Sequence, residues 1–234
     1  MKMRIDHTVR QLGWFNGCLY ALDLFIRWSS GGRWRLYKYR LVAQAVGRAT
    51  LCGRRGTGIE VRLLRAPVEH GHDFPRRADV VAQRYRQGTQ CLAAYRANEL
   101  LGFLWFTLGP YQEDEVRARF IPVPAHAAWD FDVNVLPAHQ FGPAFARLWD
   151  EANQLLRARG VYWSCSRISA FNAASLSAHR RIGGVELGGA LFLCCGQWQW
   201  MVASLAPYLH LSRKPTSYPQ FRLEPPCCIS KKSN

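Results

Sequence analysis

The chain reads as an α/β domain, a sheet flanked by helices, with a helix–strand extension ahead of it. Three observations carry that class. Residues 129–135 (WDFDVNV) alternate apolar and polar, the period of a half-buried strand, and run through a glycine-bearing turn into a helical pattern. Residues 100–109 (LLGFLWFTLG) are apolar throughout, as a central strand covered on both faces requires. And 234 residues, 49% hydrophobic and 13% aromatic, suffice for one substantial core.

In chain order, residues 9–28 have Leu12, Phe15, Leu19, Leu22 and Ile26 at helical spacing, and Ser29-Ser30-Gly31-Gly32 ends that helix. The apolar stripe is expected to pack on the domain's apolar surface or to line a pocket. RWRLYKYRLVAQAV (33–46) is strand-like, with arginines interleaved among Trp34, Tyr37 and Tyr39. It reads as a solvated face whose arginine stems lie over rings, or else as a surface for membrane or nucleic acid. Cys52 to Gly58 is a basic linker, 58–66 a strand, and 67–88 an irregular, partly helical connection broken by Pro67 and Pro75. Residues 89–97 and 100–109 form a hairpin about a turn at Asn98-Glu99. The acidic knot Glu113-Asp114-Glu115 reads as a solvated loop, with a handle for an amine as the alternative.

In 129–135 the alternation places Trp129, Phe131, Val133 and Val135 on one face and Asp130, Asp132 and Asn134 on the other. Gly142-Pro143 opens the helix that follows, proline fitting the first helical position. A helix N-terminus there presents free N–H groups and a positive dipole end, which suits a phosphate. Residues 161–169 are another strand. Ser169 or Asn172 caps a helix that ends at Gly183-Gly184, and 185–195 are a further strand. Beyond Gly196 a strand end and a short helix are expected. The expected units are 1–57 (extension), 58–211 (main domain) and 212–234 (a poorly ordered tail).

A net charge of +15 implies an acidic partner: a phosphorylated cofactor, an acidic protein, an anionic membrane face or nucleic acid. The charge is spread through the chain, which argues against nucleic acid. Eight cysteines without any C-x-x-C fit neither a zinc pattern nor a stapled scaffold, so a reduced, cytoplasmic compartment is expected, with peripheral membrane contact as a further option. Asn16 and Asp23 interrupt the longest apolar stretch, which therefore does not read as a membrane span.

Over residues 58–200 the order strand, connection, hairpin, strand–turn–helix, strand–helix–strand resembles the GNAT superfamily of acyltransferases. That family's pyrophosphate loop reads Gln/Arg-x-x-Gly-x-Gly/Ala. Here His139-Gln-Phe-Gly142-Pro-Ala144 fills the frame, with His139 in place of Gln/Arg and Pro143 removing one N–H donor. A second family pattern is an Asn seven residues before a Tyr and eleven before a Gly; Asn172, His179 and Gly183 hold those places, with His for Tyr. The resemblance implies a mixed, mostly antiparallel sheet whose fourth and fifth strands splay apart, here near Val133–Leu136 and Cys165–Ile168. It implies a thioester donor, acetyl-CoA or acyl-CoA, or acyl-phosphopantetheine on an acidic acyl carrier protein as in the related N-acyl amino acid synthases. The pantetheine arm would lie along Val133, Val135 and Leu136. The phosphates would sit on the turn formed by His139, Gln140, Phe141, Gly142 and Ala144, with Asn172 and Ser175 also facing the donor. No metal is required.

Direct transfer to a small-molecule amine needs a proton acceptor and an acid for the departing thiolate. His179 stands where the family's tyrosine does and is the candidate acid, as imidazolium; the alternative is a surface residue on an arginine-bearing helix. Asp130 and Asp132 are the candidate bases, raised in pKa if buried. Otherwise they cap loop amides or pair with an arginine such as Arg119 or Arg167. Many members of the family use a water relay instead. The rival from another class is a non-catalytic basic module that binds membrane or nucleic acid through Arg33–Arg40.

Overall fold

A computed structural model describes residues 12–71, 74–122 and 126–226. The first residues of the expected N-terminal helix and the end of the expected tail lie outside them. The helices are α1 (Trp14–Ser29), α2 (Ala78–Arg86), α3 (Ala144–Ala158) and α4 (Ala173–Arg181). One nine-stranded sheet runs β11 (Leu209–Ser212), β10 (Trp198–Ala203), β9 (Val185–Cys195), β1 (Trp34–Ala45), β8 (Trp163–Ser169), β7 (Ala127–Val135), β4 (Glu99–Thr107), β3 (Gln90–Arg96), β2 (Glu60–Leu64). Every pairing in it is antiparallel except β7 with β8. This is the mixed, mostly antiparallel, helix-flanked sheet that the GNAT resemblance implies. A second sheet of β5 (Tyr111–Gln112), β6 (Arg119–Pro122) and β12 (Gln220–Leu223) covers part of one face.

Two cores follow from the two faces. On one, Trp105, Trp129 and Phe131 pack with Val81 of α2 and with Phe120 and Phe221 of the small sheet. On the other, Leu104, Phe106 and Ala128 pack beneath Leu148, Trp149 and Leu156 of α3. β4 lies between β3 and β7 and is buried from Leu101 to Thr107, the place its unbroken apolar run demands.

Several expectations are corrected. The arginine-bearing strand β1 is not a solvated face: it is inserted between β8 and β9, burying Tyr39, Leu41 and Ala43, because these odd residues complete the first core. α1 turns only part of its apolar stripe inward. Leu19 and Ile26 are half-buried and Phe15 and Leu22 exposed, while Gly17 and Asp23 are buried, the Asp23 Oδ1 accepting the Leu36 N–H at 2.8 Å. The hairpin turn sits on Ala97 and Asn98, both at positive φ, with Glu99 already in β4. Among the described residues no helix follows β10; β11 pairs with it instead. The expected poorly ordered tail contains β12, which docks parallel to β6 because Phe221 and Leu223 bury completely.

Candidate functional site

β7 and β8 are paired from Ala127 opposite Trp163 to Asp130 opposite Ser166, and there the pairing stops. β7 goes on to Val135 with its far edge on β4, while β8 goes on to Ser169 with its far edge on β1. The two near edges are therefore left open from Phe131 and Arg167 onward. Cys165, expected within the splay, is still paired with Trp129. Opposite the fork, β7 carries a bulge: between Phe103 and Trp105 the register slips, and Asp132 takes φ 48°. The extra residue reverses the alternation. Phe131 stays with the first core, but Val133 and Val135 pack against the second, contrary to the single apolar face expected. A cleft of about 480 Å³ opens at the fork.

The bulge separates the two aspartates that simple alternation placed together. Asp130 is wholly buried; its Oδ1 accepts from the Ser164 hydroxyl at 2.5 Å, and its Oδ2 has no partner. Burial pushes its carboxyl up to about 7, against the pull of the Ser164 and Ser166 hydroxyls beside it. Ser166 Oγ is likewise buried without a partner. Asp132 is clasped by Arg76 and by Arg84, whose Nη1 donates at 2.6 Å. Burial would raise its carboxyl, but the two guanidiniums outweigh that and hold it below the usual range. Neither aspartate pairs with Arg119 or Arg167, the partners expected.

The acidic knot is only partly solvated: Glu113 is buried, Asp114 and Glu115 are exposed, and all three line the cleft. Glu113 is buried and doubly bonded to Arg167 at 2.8 Å, which holds its carboxyl low against the effect of burial. Asp114 takes two hydrogen bonds from Arg84 at 2.8 and 2.6 Å. Glu115 accepts from Tyr39 Oη at 3.0 Å and lies 2.9 Å from Arg167. Arg76, Arg84 and Ser166 are not among the expected site residues, and no local pattern marks them; Glu113 is expected only as an alternative amine handle and Arg167 only as a partner of the aspartates.

His179 lines the same cleft and is 4% exposed, so it is not a surface residue. Its Nδ1–H donates to Gln44 Oε1 at 3.2 Å, and Phe145 and Trp149 meet its ring edge to face. Burial drives its pKa down to about 4, which keeps the imidazole neutral at neutral pH. A neutral imidazole differs from the imidazolium acid expected, and burial is the cause. Asn172 caps α4 by accepting the Ser175 N–H at 3.0 Å, and both residues line the cleft.

Val133 also lines the cleft, whereas Val135 and Leu136 lead from it to the turn before α3. Pro143 stands at the N-cap, one residue earlier than expected, and no side chain caps α3. The N–H groups of that first turn are thus free to meet an anion. The Gly142 N–H is already spent on His139 O at 2.9 Å. His139 Nε2 lies 3.1 Å from a Glu99 oxygen, while Gln140 and Phe141 are exposed. The structure thus gathers Asp130, Asp132, Val133, Asn172, Ser175 and His179 around one cleft, and sets the 139–144 turn at the end of β7.

No protein-family model matches the chain, and no curated protein does. Solved structures similar to it at low identity include three. One is a functionally unknown conserved protein from Staphylococcus epidermidis, with 10% identity, TM-score 0.45, and coverage of 73% of this chain and 66% of that one. Another is an aminoglycoside acetyltransferase from an uncultured soil metagenomic sample, solved with sisomicin, with 13% identity, TM-score 0.38, and coverage of 54% and 88%. A third, from Novosphingobium aromaticivorans, is ascribed to the GNAT acetyltransferases, with 13% identity, TM-score 0.45, and coverage of 67% and 63%. The chain thus spans about two thirds of the length of the first.

Proposed function

We propose that this protein is an N-acyltransferase that moves an acyl group from a thioester donor to an amine by direct attack. The observation that carries this reading is the fork between β7 and β8, where two facing strand edges are left unpaired beside a buried carboxyl. Open edges supply N–H and C=O groups for the two amides of a pantetheine arm, and the uncapped α3 supplies N–H groups for its phosphates. The donor brings an electrophilic carbonyl and a sulfur leaving group; the rest falls to the chain.

Asp130 is placed and poised for proton transfer. A carboxyl near 7 is about half ionised at neutral pH, so it can accept the proton of an attacking amine. As the carbon–sulfur bond breaks, the same proton can pass to the thiolate. One carboxyl then serves both steps, a role that a neutral His179 does not fill. The acceptor wall sets three guanidiniums (Arg76, Arg84, Arg167) against four carboxylates (Glu113, Asp114, Glu115, Asp132). One negative charge remains, which favours a cationic amine.

The test is thiol release from acyl-CoA and from acyl carrier protein over a panel of amines, with calorimetric titration of both donors. Donor binding together with amine-dependent thiol release is expected. Absence of both, with either donor, overturns the reading.

A further inference from the structure

A second surface, independent of the acyltransferase reading, lies on the sheet's other end. The register places Trp34, Cys195 and Trp198 in one row, Leu36, Leu193, Trp200 and Leu211 in the next, and Val202 and Leu209 in the third. Their alternates (Tyr37, Phe192, Met201) point into the core, so these rows share the opposite face. α1 lies against that face beside β1, with Lys38 Nζ donating to Asn16 Oδ1 at 2.8 Å. Beyond it nothing covers β10 and β11 among the described residues: Trp200, Val202, Leu209 and Leu211 are all exposed.

α1 extends the same apolar surface. It spends its polar Asp23 inward on a backbone amide and turns Trp14 and Trp28 out, 79% and 80% exposed, with Phe15 and Phe25 between them. An open surface of this size on an ordinary soluble domain is anomalous and marks a contact.

The charges choose the partner. The elements of this face carry two carboxylates, Asp23, which is turned inward, and Glu186, which Arg40 pairs at 2.5 Å. Cations border it: Arg27 on α1, Arg33 in the groove with Trp34, and Arg213 with its guanidinium 5.2 Å from the centre of the Trp198 ring. A second copy would bring the same cations and another +15 against them. An anionic bilayer brings the opposite charge, and indole rings favour the headgroup boundary. No described helix is long and apolar enough to cross a membrane, so the contact lies on the surface.

We propose that α1 and the open face of β9–β11 dock the protein on an anionic lipid surface. The probes are vesicles of phosphatidylcholine alone and of equal parts phosphatidylcholine and phosphatidylglycerol, read by co-sedimentation and by quenching of tryptophan emission with brominated lipid. Binding to the anionic vesicles, weakened by salt, is expected. The double variant Phe25→Ser/Trp28→Ser, altered only at exposed positions, should lose roughly 10–100-fold in affinity, and Arg33→Glu/Arg213→Glu should lose the preference for anionic lipid; a circular dichroism melt verifies the fold of each. Failure of the wild type to bind overturns the proposal, as does equal binding to both vesicle types. So does a stable dimer in sedimentation equilibrium that the Phe25→Ser/Trp28→Ser variant abolishes.

Discussion

Replacing Asp130 by Asn tests whether a buried carboxyl sits at the fork. Below its ordinary value of 3.8 the carboxyl is neutral in the folded and the unfolded chain alike. Between 3.8 and about 7 the unfolded chain ionises it while the folded protein holds the proton. Stability contributed by the protonated form is therefore lost as pH rises through that window, and the whole penalty is present above it. The rise from 3.8 to about 7, at ~1.4 kcal/mol per tenfold change in proton affinity, amounts to about 4 kcal/mol. Asparagine keeps the shape, can still accept from Ser164, and never ionises. Asp130→Asn should thus match the wild type near pH 4 and exceed its unfolding free energy by up to about 4 kcal/mol at pH 8 to 9. Urea unfolding at steps of pH measures this. Turnover should meanwhile fall by roughly 10²–10⁴-fold. A stability difference independent of pH would refute the burial argument; retained turnover would refute the catalytic one.

Other outcomes follow from the same geometry. Arg84→Met removes the buried guanidinium that Asp114 and Asp132 share, leaving Asp132 to Arg76 alone, and should cost roughly 1–3 kcal/mol in urea unfolding; Arg84→Met/Asp132→Asn should recover part of it. His179, held neutral by burial with a pKa near 4, should show no imidazole titration between pH 5.5 and 8 by nuclear magnetic resonance, about the ordinary 6.5; a midpoint near 6.5 would mean that the ring meets water. A Cβ at Gly142 would lie 3.2 Å from the His139 backbone carbonyl, so the turn must give by a few tenths of an ångström. Gly142→Val should therefore disturb the 139–144 turn and abolish donor affinity in calorimetry, and unchanged affinity would remove that turn from the donor site.

Local pattern carried a good deal of this fold. Alternation in 129–135, the unbroken apolar run of 100–109 and the asparagine cap at 172 each depend on neighbours a few residues away, and each element stands where its pattern put it. The fork's chemistry is of another kind. Whether Asp130 and Asp132 share a face depends on one extra residue at a bulge, beside the close approach of Gly102 to Asn134, where a Cβ would sit 2.5 Å from the Asn134 carbonyl. Whether Glu113 is solvated depends on Arg167, 54 residues away in the chain. Whether His179 is an acid depends on the rings of Phe145 and Trp149 and on Gln44, which arrives on a strand inserted from the N-terminus. Hydrophobic periodicity is a property of one segment. Burial, and the proton affinity that burial sets, is a sum over every segment that closes on the group.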